Sequence, residues 1–274
     1  MASTLISRSR PAFTDLLRHW RRAQNLSQGE LAGLAEVSQR HVSFLESGRS
    51  APSRDMVLRL AAAMDMPLRE QNNLLQAAGF AAVYTEHNLE RAELDVARRA
   101  VALILKHQEP YGAVVVDRNW NLIMMNEANL RLFSEFVDPL TVWEQVGGDR
   151  PNMLRVTLHE RGLRPYVVNW QTFAGYFLGQ LDRELIRNPF NREARELLDE
   201  IRRYPDMPAE NPTLYPDSQP LLTLQLRKGD LELKLFTMMT TFGTPHDVTL
   251  QELRIESFFP ADETTEAYLR GQPG

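Results

Sequence analysis

The chain has 274 residues, of which 43% are hydrophobic, and this length predicts two domains with separate cores. Apolar runs stay short of the roughly 18 residues that span a bilayer, and the N-terminal residues lack the pattern of a signal peptide, so we expect a cytoplasmic protein that does not bind membranes. The chain has no cysteine, which excludes disulfides, thiolate nucleophiles and cysteine-ligated zinc.

The net charge of −5 is unevenly distributed along the chain. Residues 1–85 hold ten Arg, no Lys and seven acids, whereas the remainder holds 21 basic and 29 acidic residues. The N-terminal excess of positive charge favours contact with a phosphate backbone, and a solvated helix face is the alternative for each arginine. The arginines crowded into the first 25 residues are Arg8, Arg10, Arg18, Arg21 and Arg22.

Five helices are predicted in the first 80 residues. The spacing of apolar residues predicts helices over about 13–24, 54–64 and 68–78, and two shorter helices within 26–53. Together they predict a compact all-α bundle.

The two shorter helices carry capping signals and a two-sided second helix. Ser27, with Glu30 three residues later, has the pattern of a capping box, and Ser38 begins the second helix as its N-cap. Val42 and Leu45 lie on one side of this second helix and polar residues lie on the other. The apolar side can seat the helix while the polar side stays free for base edges.

The run from Leu26 to Ser53 resembles the helix-turn-helix of Cro/repressor-type (XRE) regulators. It follows their order of Leu-Ser-Gln, an acid, Leu-Ala, a turn, Val-Ser and Leu-Glu-x-Gly-Arg. The resemblance implies sequence-specific binding to double-stranded DNA, and Gln, Arg and a helix N-terminus suit adenine, guanine and phosphate respectively. The residues implied to contact DNA are Gln28 as a phosphate clamp, Ser38, Gln39, Arg40, Ser43 and Phe44 on the second helix, and Arg49 on the backbone.

Two positions depart from the XRE pattern. Glu36 stands where Gly is usual, so it either adopts a left-handed conformation or changes the turn geometry. Phe44 stands where a basic or polar residue is common, and it either contacts a thymine methyl group or packs against the protein.

Residues 81–107 are predicted to connect two domains through a helix over 89–106. Leu89, Val96 and Leu103 recur at heptad spacing, which is typical of a short dimer seam or a signalling connector. The alternative is a helix that packs on its own domain.

Beyond residue 110 the pattern changes to alternating strands. Asn126 is predicted to cap a short helix that ends near Phe133, and a helical middle region follows. We therefore predict an α+β multidomain protein, in which the helix-turn-helix bundle precedes a PAS-like domain with a five-stranded antiparallel sheet and helices on one face. The predicted strands are 112–117, 119–125, 221–227, 231–242 and 248–259, with Glu252, Arg254 and Glu256 of the last alternating against Leu253 and Ile255.

The segment of about 110–269 resembles the MmyB-like ligand-binding domain, a PAS-like module attached to XRE helix-turn-helix domains in bacterial regulators. The resemblance rests on VVVDRNWNLIMMNEA, NMLRVTLHERGLRPYVVNW and, most specifically, TTFGTPHDVTLQELRIESFFPADE. It implies a regulator that senses a small apolar, fatty-acid-like ligand. The predicted domains are a DNA-binding domain (1–80), a connector helix (81–107) and a PAS-like ligand-binding domain (108–270).

A predicted helix over 168–186 and the sheet offer enough apolar surface to line a pocket. A filled core that serves only dimerisation or protein interaction is the alternative. The predicted lining is Met124, Trp170, Phe173, Phe177, Leu181, Phe236, Met238 and Phe242, with Arg155, His159 or Arg164 to hold a carboxylate head group.

These features predict a homodimer whose N-terminal bundles contact two DNA half-sites about one helical turn apart, while a bound apolar ligand biases their spacing. His159 and His246 lie far apart, and the sequence lacks HExxH, a Gly-rich phosphate loop and Gly-x-Ser-x-Gly. No enzymatic activity, catalytic residue, metal site or cofactor is predicted. The small molecule that we expect the protein to bind is the fatty acid or a similar apolar ligand.

Overall fold

The computed structural model describes residues 12–208 and 221–271, and the chain forms two compact units. The first unit takes in the described residues up to His87 together with Thr244–Gln251, and the second takes in Asn88–Gly243 and the residues from Glu252 onward. The domain limits of 1–80, 81–107 and 108–270 stay a prediction. Arg8 and Arg10 lie outside the described residues.

The first unit is a bundle of five helices, as the sequence predicts. Ser27 and Glu30 form the predicted capping box: the Ser27 hydroxyl accepts from the Glu30 amide at 3.1 Å, and the Glu30 carboxylate accepts from the Ser27 amide at 2.7 Å. Fully buried side chains such as Leu17, Leu45 and Leu74 form the core. The helices are α1 (Phe13–Ala23), α2 (Gln28–Leu34), α3 (Gln39–Glu46), α4 (Arg54–Ala63) and α5 (Leu68–Ala77).

The second unit contains a five-stranded antiparallel sheet, which confirms the predicted α+β class. Its strands lie in the order β2-β1-β5-β4-β3. The strands are β1 (Ala113–Val116), β2 (Leu122–Met125), β3 (Leu224–Lys228), β4 (Leu231–Thr241) and β5 (Arg254–Pro260). The helices of this unit are α6 (Asp95–His107), α7 (Glu127–Ser134), α8 (Val142–Val146), α9 (Met153–Leu158), α10 (Trp170–Arg187), α11 (Arg192–Ile201) and α13 (Glu263–Gly271), while α12 (Val248–Glu252) lies in the segment between β4 and β5 that belongs almost entirely to the first unit. Within the described ranges, no helix is both long enough and apolar enough to cross a membrane.

The helix of the predicted connector buries a different face from the one that its heptad spacing indicates. Val96 and Leu103 are 71% and 54% exposed, whereas the buried side chains of α6 include Ala97 and Val101. Leu89 is buried but precedes the helix. Val96 and Leu103 of the heptad pattern therefore lie on the exposed side of α6, and Ala97, Val101 and Leu105 form the buried side.

The last predicted strand, 248–259, is wrong in its first half. Residues Val248–Glu252 form α12, and β5 begins only at Arg254. The cause is Asp247, whose carboxylate accepts from the Thr249 amide at 2.9 Å and whose carbonyl accepts from the Gln251 amide at 3.1 Å. These bonds start a helical turn in a sequence whose apolar alternation favours a strand.

The segment Thr244–Gln251, which joins β4 to β5, belongs to the first unit. The Asp247 carboxylate accepts from the Thr85 hydroxyl at 3.0 Å and lies 2.8 Å from Nδ1 of His87. Gln251 accepts from the amide of Leu68, at the start of α5, at 2.7 Å. Burial opposes ionisation of Asp247, but the hydrogen bonds from His87 and Thr85 outweigh it and lower the pKa of this carboxyl.

Candidate functional sites

The turn between α2 and α3 keeps helix-turn-helix geometry without a glycine. Glu36 has a φ of 54°, so it adopts the left-handed conformation, the first of the two predicted outcomes. The amide of the next residue, Val37, donates to the Ala32 carbonyl at 2.9 Å and closes the end of α2. A non-glycine residue in this conformation costs roughly 1–2 kcal/mol, which the packing of the two helices must offset.

The second helix of the motif, α3, exposes the residues that the sequence assigns to DNA. Gln39 and Arg40 are exposed and Ser43 is half-buried, whereas Val42 and Leu45 are completely buried. This division into exposed and buried side chains follows the helical repeat, because Val42 and Leu45 are three residues apart and share one face. The structure thus places the predicted base-contacting side chains together on one accessible side of α3.

Ser38 and Phe44 have structural roles on this helix. The Ser38 hydroxyl accepts from the His41 amide at 3.1 Å and caps α3 as predicted. The Phe44 ring lies under two guanidinium groups, 5.1 Å from that of Arg40 and 5.9 Å from that of Arg49. Such cation–π contacts favour one arrangement of the two cations, and a contact of Phe44 with DNA stays a prediction.

Two residues assigned to phosphate contact take part in a buried ion pair. Glu46 and Arg21 are 5% and 9% exposed, and the Arg21 Nε lies 2.5 Å from the Glu46 carboxylate. Gln28 donates to the same carboxylate at 2.8 Å, and Arg18 donates to the Glu46 carbonyl at 2.7 Å. Arg21 therefore stabilises the bundle and is not presented to a phosphate backbone, while the phosphate clamp at Gln28 stays a prediction.

The second unit contains a partly open cavity of about 390 Å³ between the sheet and helices that include α7, α9 and α10. This volume falls in the range of small-molecule sites. Its polar lining is Asn129, Thr157, Tyr176, Thr237 and Glu256; the rest is almost wholly apolar, namely Trp120, Leu132, Phe133, Phe136, Met153, Leu154, Leu163, Phe173, Phe177, Leu221, Leu222, Leu224, Leu226, Leu235, Phe236 and Phe258.

The wall at Trp120 is built on an unusual backbone. Trp120 has a φ of 66°, and its ring meets that of Phe177 edge-on at 5.4 Å. Asp117 accepts from the amides of Asn119 and Asn121 at 2.8 and 2.9 Å, which fixes the turn on both sides of the tryptophan. Left-handed non-glycine residues persist where their surroundings over-determine them, and here the result is an aromatic wall of the cavity.

Three of the apolar residues predicted to line the pocket do so: Phe173, Phe177 and Phe236. In the register of the sheet, Met124 pairs with Val115 and Met238 pairs with Ser257, so both methionines point away from the face that carries Glu256 and Phe258. The remaining predicted residues, Trp170, Leu181 and Phe242, also lie outside this lining.

The three predicted holders of a carboxylate head group are engaged elsewhere. Arg155 makes a two-point contact with Glu200 at 2.7 and 2.8 Å. The His159 ring packs edge-on against Tyr204 at 4.8 Å, and burial lowers the pKa of this histidine. Arg164 pairs with Asp206 at 2.9 Å. None of the three is among the described residues that line the cavity.

Glu256 is the cavity residue that sequence reasoning missed. The alternation along the last predicted strand puts it on a polar face, but its side chain lies on the cavity side of β5 and is only 7% exposed. A hydrogen bond with Thr237 favours the charged form, yet burial dominates and raises the pKa of Glu256 to about 7. The sequence feature that could have revealed its position is its spacing of two residues from Phe258, because residues two apart share one face of a strand.

Comparison with known proteins places both units in described families. Residues 97–271 match the MmyB-like transcription regulator ligand binding domain, and residues 17–71 match a helix-turn-helix family. No curated protein matches the chain.

Two solved structures show similarity to the chain, one over a part and one over nearly all of it. The crystal structure of the restriction-modification controller protein C.AhdI from Aeromonas hydrophila is 37% identical over 22% of this chain and 89% of its own, with a TM-score of 0.21. The structure of an RNA-binding light-oxygen-voltage receptor is 11% identical over 95% of this chain and 61% of its own, with a TM-score of 0.27.

Proposed function

We propose, because this chain belongs to the MmyB-like transcription regulator family, that its two units form a ligand-controlled switch. In this proposal a cytoplasmic homodimer binds operator DNA through the exposed side of α3, and a small apolar, fatty-acid-like molecule occupies the cavity. The main support is the cavity itself, about 390 Å³ and largely apolar, in a chain that also carries a helix-turn-helix motif.

The connection between β4 and β5 supports coupling of the two functions. Both strands line the cavity, through Thr237 and Glu256 among others. The segment that joins them, Thr244–Gln251, is hydrogen-bonded within the DNA-binding unit through Asp247. A ligand that binds one arrangement of β4 and β5 more tightly than another therefore favours that arrangement. The segment that joins these two strands is part of the DNA-binding unit, so this unit takes part in the change.

We expect Gln39→Ala and Arg40→Ala each to weaken operator binding by about 5- to 150-fold and to relax base preference, because a bidentate base contact contributes roughly 1–3 kcal/mol. Phe44→Ala should weaken binding as well, since both guanidinium groups lose their aromatic support. Footprinting on the region upstream of the protein's own gene, with Arg59→Ala on the exposed side of α4 as the control, measures these effects. Unchanged base preference in both α3 variants would contradict the assignment.

We expect a small molecule to co-purify with the protein and Thr157→Phe to abolish its binding, because the added ring fills cavity space beside Phe173 and Phe177. Native mass spectrometry followed by thermal shift against acyl-chain lipids measures both effects. Retained DNA binding by the variant serves as the folding control. A wild-type protein with no bound molecule and no thermal shift would favour the alternative, a ligand-free interaction module with a filled core.

The exposed apolar side of α6 supports the homodimer, since Val96 and Leu103 are 71% and 54% exposed. We expect the double variant Val96→Glu, Leu103→Glu to be monomeric in light scattering after size exclusion, where the wild type is dimeric. Ala102→Glu is the control, because this exposed residue lies about 100° round the helix from Leu103. A double variant that stays dimeric would exclude this side of α6 as the interface.

A further inference from the structure

The cavity contains one carboxyl group that ordinary packing does not explain. Glu256 lies on β5 between Val114 of β1 and Met239 of β4 in the register of the sheet. Its side chain is 7% exposed, and among the described residues its hydrogen-bond partner is the Thr237 hydroxyl. Acidic side chains are almost never this buried unless they are paired with a cation.

Among the described residues, no basic group lines the cavity wall to compensate this carboxyl. The described residues that line the cavity include no Lys, Arg or His. Residues 209–220, which lie outside the description, have no basic residue in their sequence either. The two arginines predicted to hold a head group, Arg155 and Arg164, pair with Glu200 and Asp206.

A buried acid without a cationic partner destabilises the fold, so its presence calls for a partner that arrives from outside. An ionised fatty acid would bring a second negative charge into the same apolar space, which like-charge repulsion opposes. A hydroxyl group would donate one hydrogen bond to the carboxylate. A protonated amine would donate a hydrogen bond and also supply the positive charge that balances the buried carboxylate.

We infer that the cavity selects a molecule whose apolar body ends in a hydrogen-bond donor, preferably a protonated amine, and that the Glu256 carboxylate accepts from it. The inference rests on the apolar-ligand site of the proposed function, and it replaces the carboxylate head group of a fatty-acid-like ligand with a hydrogen-bond donor. The aromatic and aliphatic walls hold the body of the molecule, and Glu256 determines which end group is tolerated.

Three probes with the same chain test this inference: n-octylamine, 1-octanol and octanoate, titrated into the full-length protein at pH 8 by calorimetry. We expect octylamine to bind at least tenfold more tightly than octanol and octanoate to bind most weakly. Glu256→Gln should weaken octylamine at least tenfold and change octanol less than threefold. Glu263→Gln, which removes an exposed carboxylate from α13, should change neither.

Two outcomes would overturn the inference in distinguishable ways. If octanoate binds as tightly as octylamine, or if Glu256→Gln keeps the amine preference, the head-group assignment fails while binding of apolar ligands stands. If none of the three probes binds the wild type, the ligand-binding function of the cavity fails together with the inference. The order of wild-type affinities decides the matter even if Glu256→Gln does not fold.

Discussion

Glu46→Ala is expected to lower the free energy of unfolding of the DNA-binding unit by about 3–5 kcal/mol, the usual effect of removing one partner of a buried ion pair. The variant leaves the Arg21 guanidinium buried without its acceptor, and it removes the acceptor of Gln28 as well. Three elements meet at this carboxylate, since Arg21 lies on α1, Gln28 begins α2 and Glu46 ends α3. The loss should therefore weaken the position of α3 and hence DNA binding.

Urea unfolding followed by circular dichroism, with hydrogen exchange over residues 12–87, measures the effect of Glu46→Ala. Glu36→Gln, a change at an exposed acid of the same unit, is the control and should shift stability by less than about 0.5 kcal/mol. The apolar double variant Arg21→Met, Glu46→Leu should recover most of the loss, because no charge then stays buried. A loss below about 1 kcal/mol for Glu46→Ala would contradict this account of the pair.

The same pair predicts an acid-sensitive bundle. Burial works to raise the pKa of Glu46, but the hydrogen bonds from Arg21 and Gln28 and the charge of Arg21 outweigh it and lower the pKa below 4.5. A lowered folded-state pKa stabilises the protein above the unfolded value, and this stabilisation is lost as the pH falls through the folded value. The contribution of Glu46 should therefore be complete at neutral pH and be lost progressively as the pH falls below about 4.5 towards the lower folded-state pKa.

Glu256→Gln is expected to stabilise the second unit by about 3 kcal/mol at pH 8 and to have little effect at pH 4.5. The pKa of Glu256 rises from 4.5 to about 7 on folding, so the folded protein binds more protons than the unfolded chain between these values. Stability falls as the pH rises through this window, by roughly 1.4 kcal/mol for each unit of the pKa shift. Glutamine carries no charge at any pH and removes this loss.

Thermal unfolding of the ligand-free protein at several pH values between 4 and 8 measures the effect of Glu256→Gln. The wild type should lose stability relative to the variant as the pH rises, with the largest difference above pH 7. Glu144→Gln on α8 removes an exposed carboxylate from the same unit and should leave the pH profile unchanged. If the stability of the wild type and of Glu256→Gln changed with pH in the same way, the Glu256 carboxyl would be better solvated than its burial indicates.

The features that local sequence determines were predicted correctly. The capping box at Ser27 and Glu30 depends on residues three positions apart, and so does the cap at Asn126, whose side chain accepts from the Asn129 amide. The predicted strands 221–227 and 231–242 lie on either side of Gly229, and the hairpin of β3 and β4 turns at this glycine, which has a φ of 59°. Each of these elements is fixed by its own residues, so residue type and spacing suffice.

Long-range contacts account for the features that were missed. The turn at Asp247 begins with local hydrogen bonds, but the same carboxylate is also held by Thr85 and His87, about 160 positions earlier, and no local pattern indicates these contacts. The role of Arg21 depends on Glu46, an acid on another helix. Glu256 was assigned to a polar face because alternation treats an acid as an outward residue, whereas the structure places it on the cavity side.

Because Thr244–Gln251 is part of the DNA-binding unit, cleaving the chain at one position cannot separate the two units of this regulator intact. A fragment that stops after His87 would lose Asp247, the acceptor of both the His87 ring and the Thr85 hydroxyl, and the glutamine that accepts from the amide of Leu68. Grafting residues 12–87 onto a foreign sensor would thus remove part of their own scaffold. A fusion that contains residues 12–87 must therefore also contain the sheet of the original sensor, or a substitute for its β4–β5 connection.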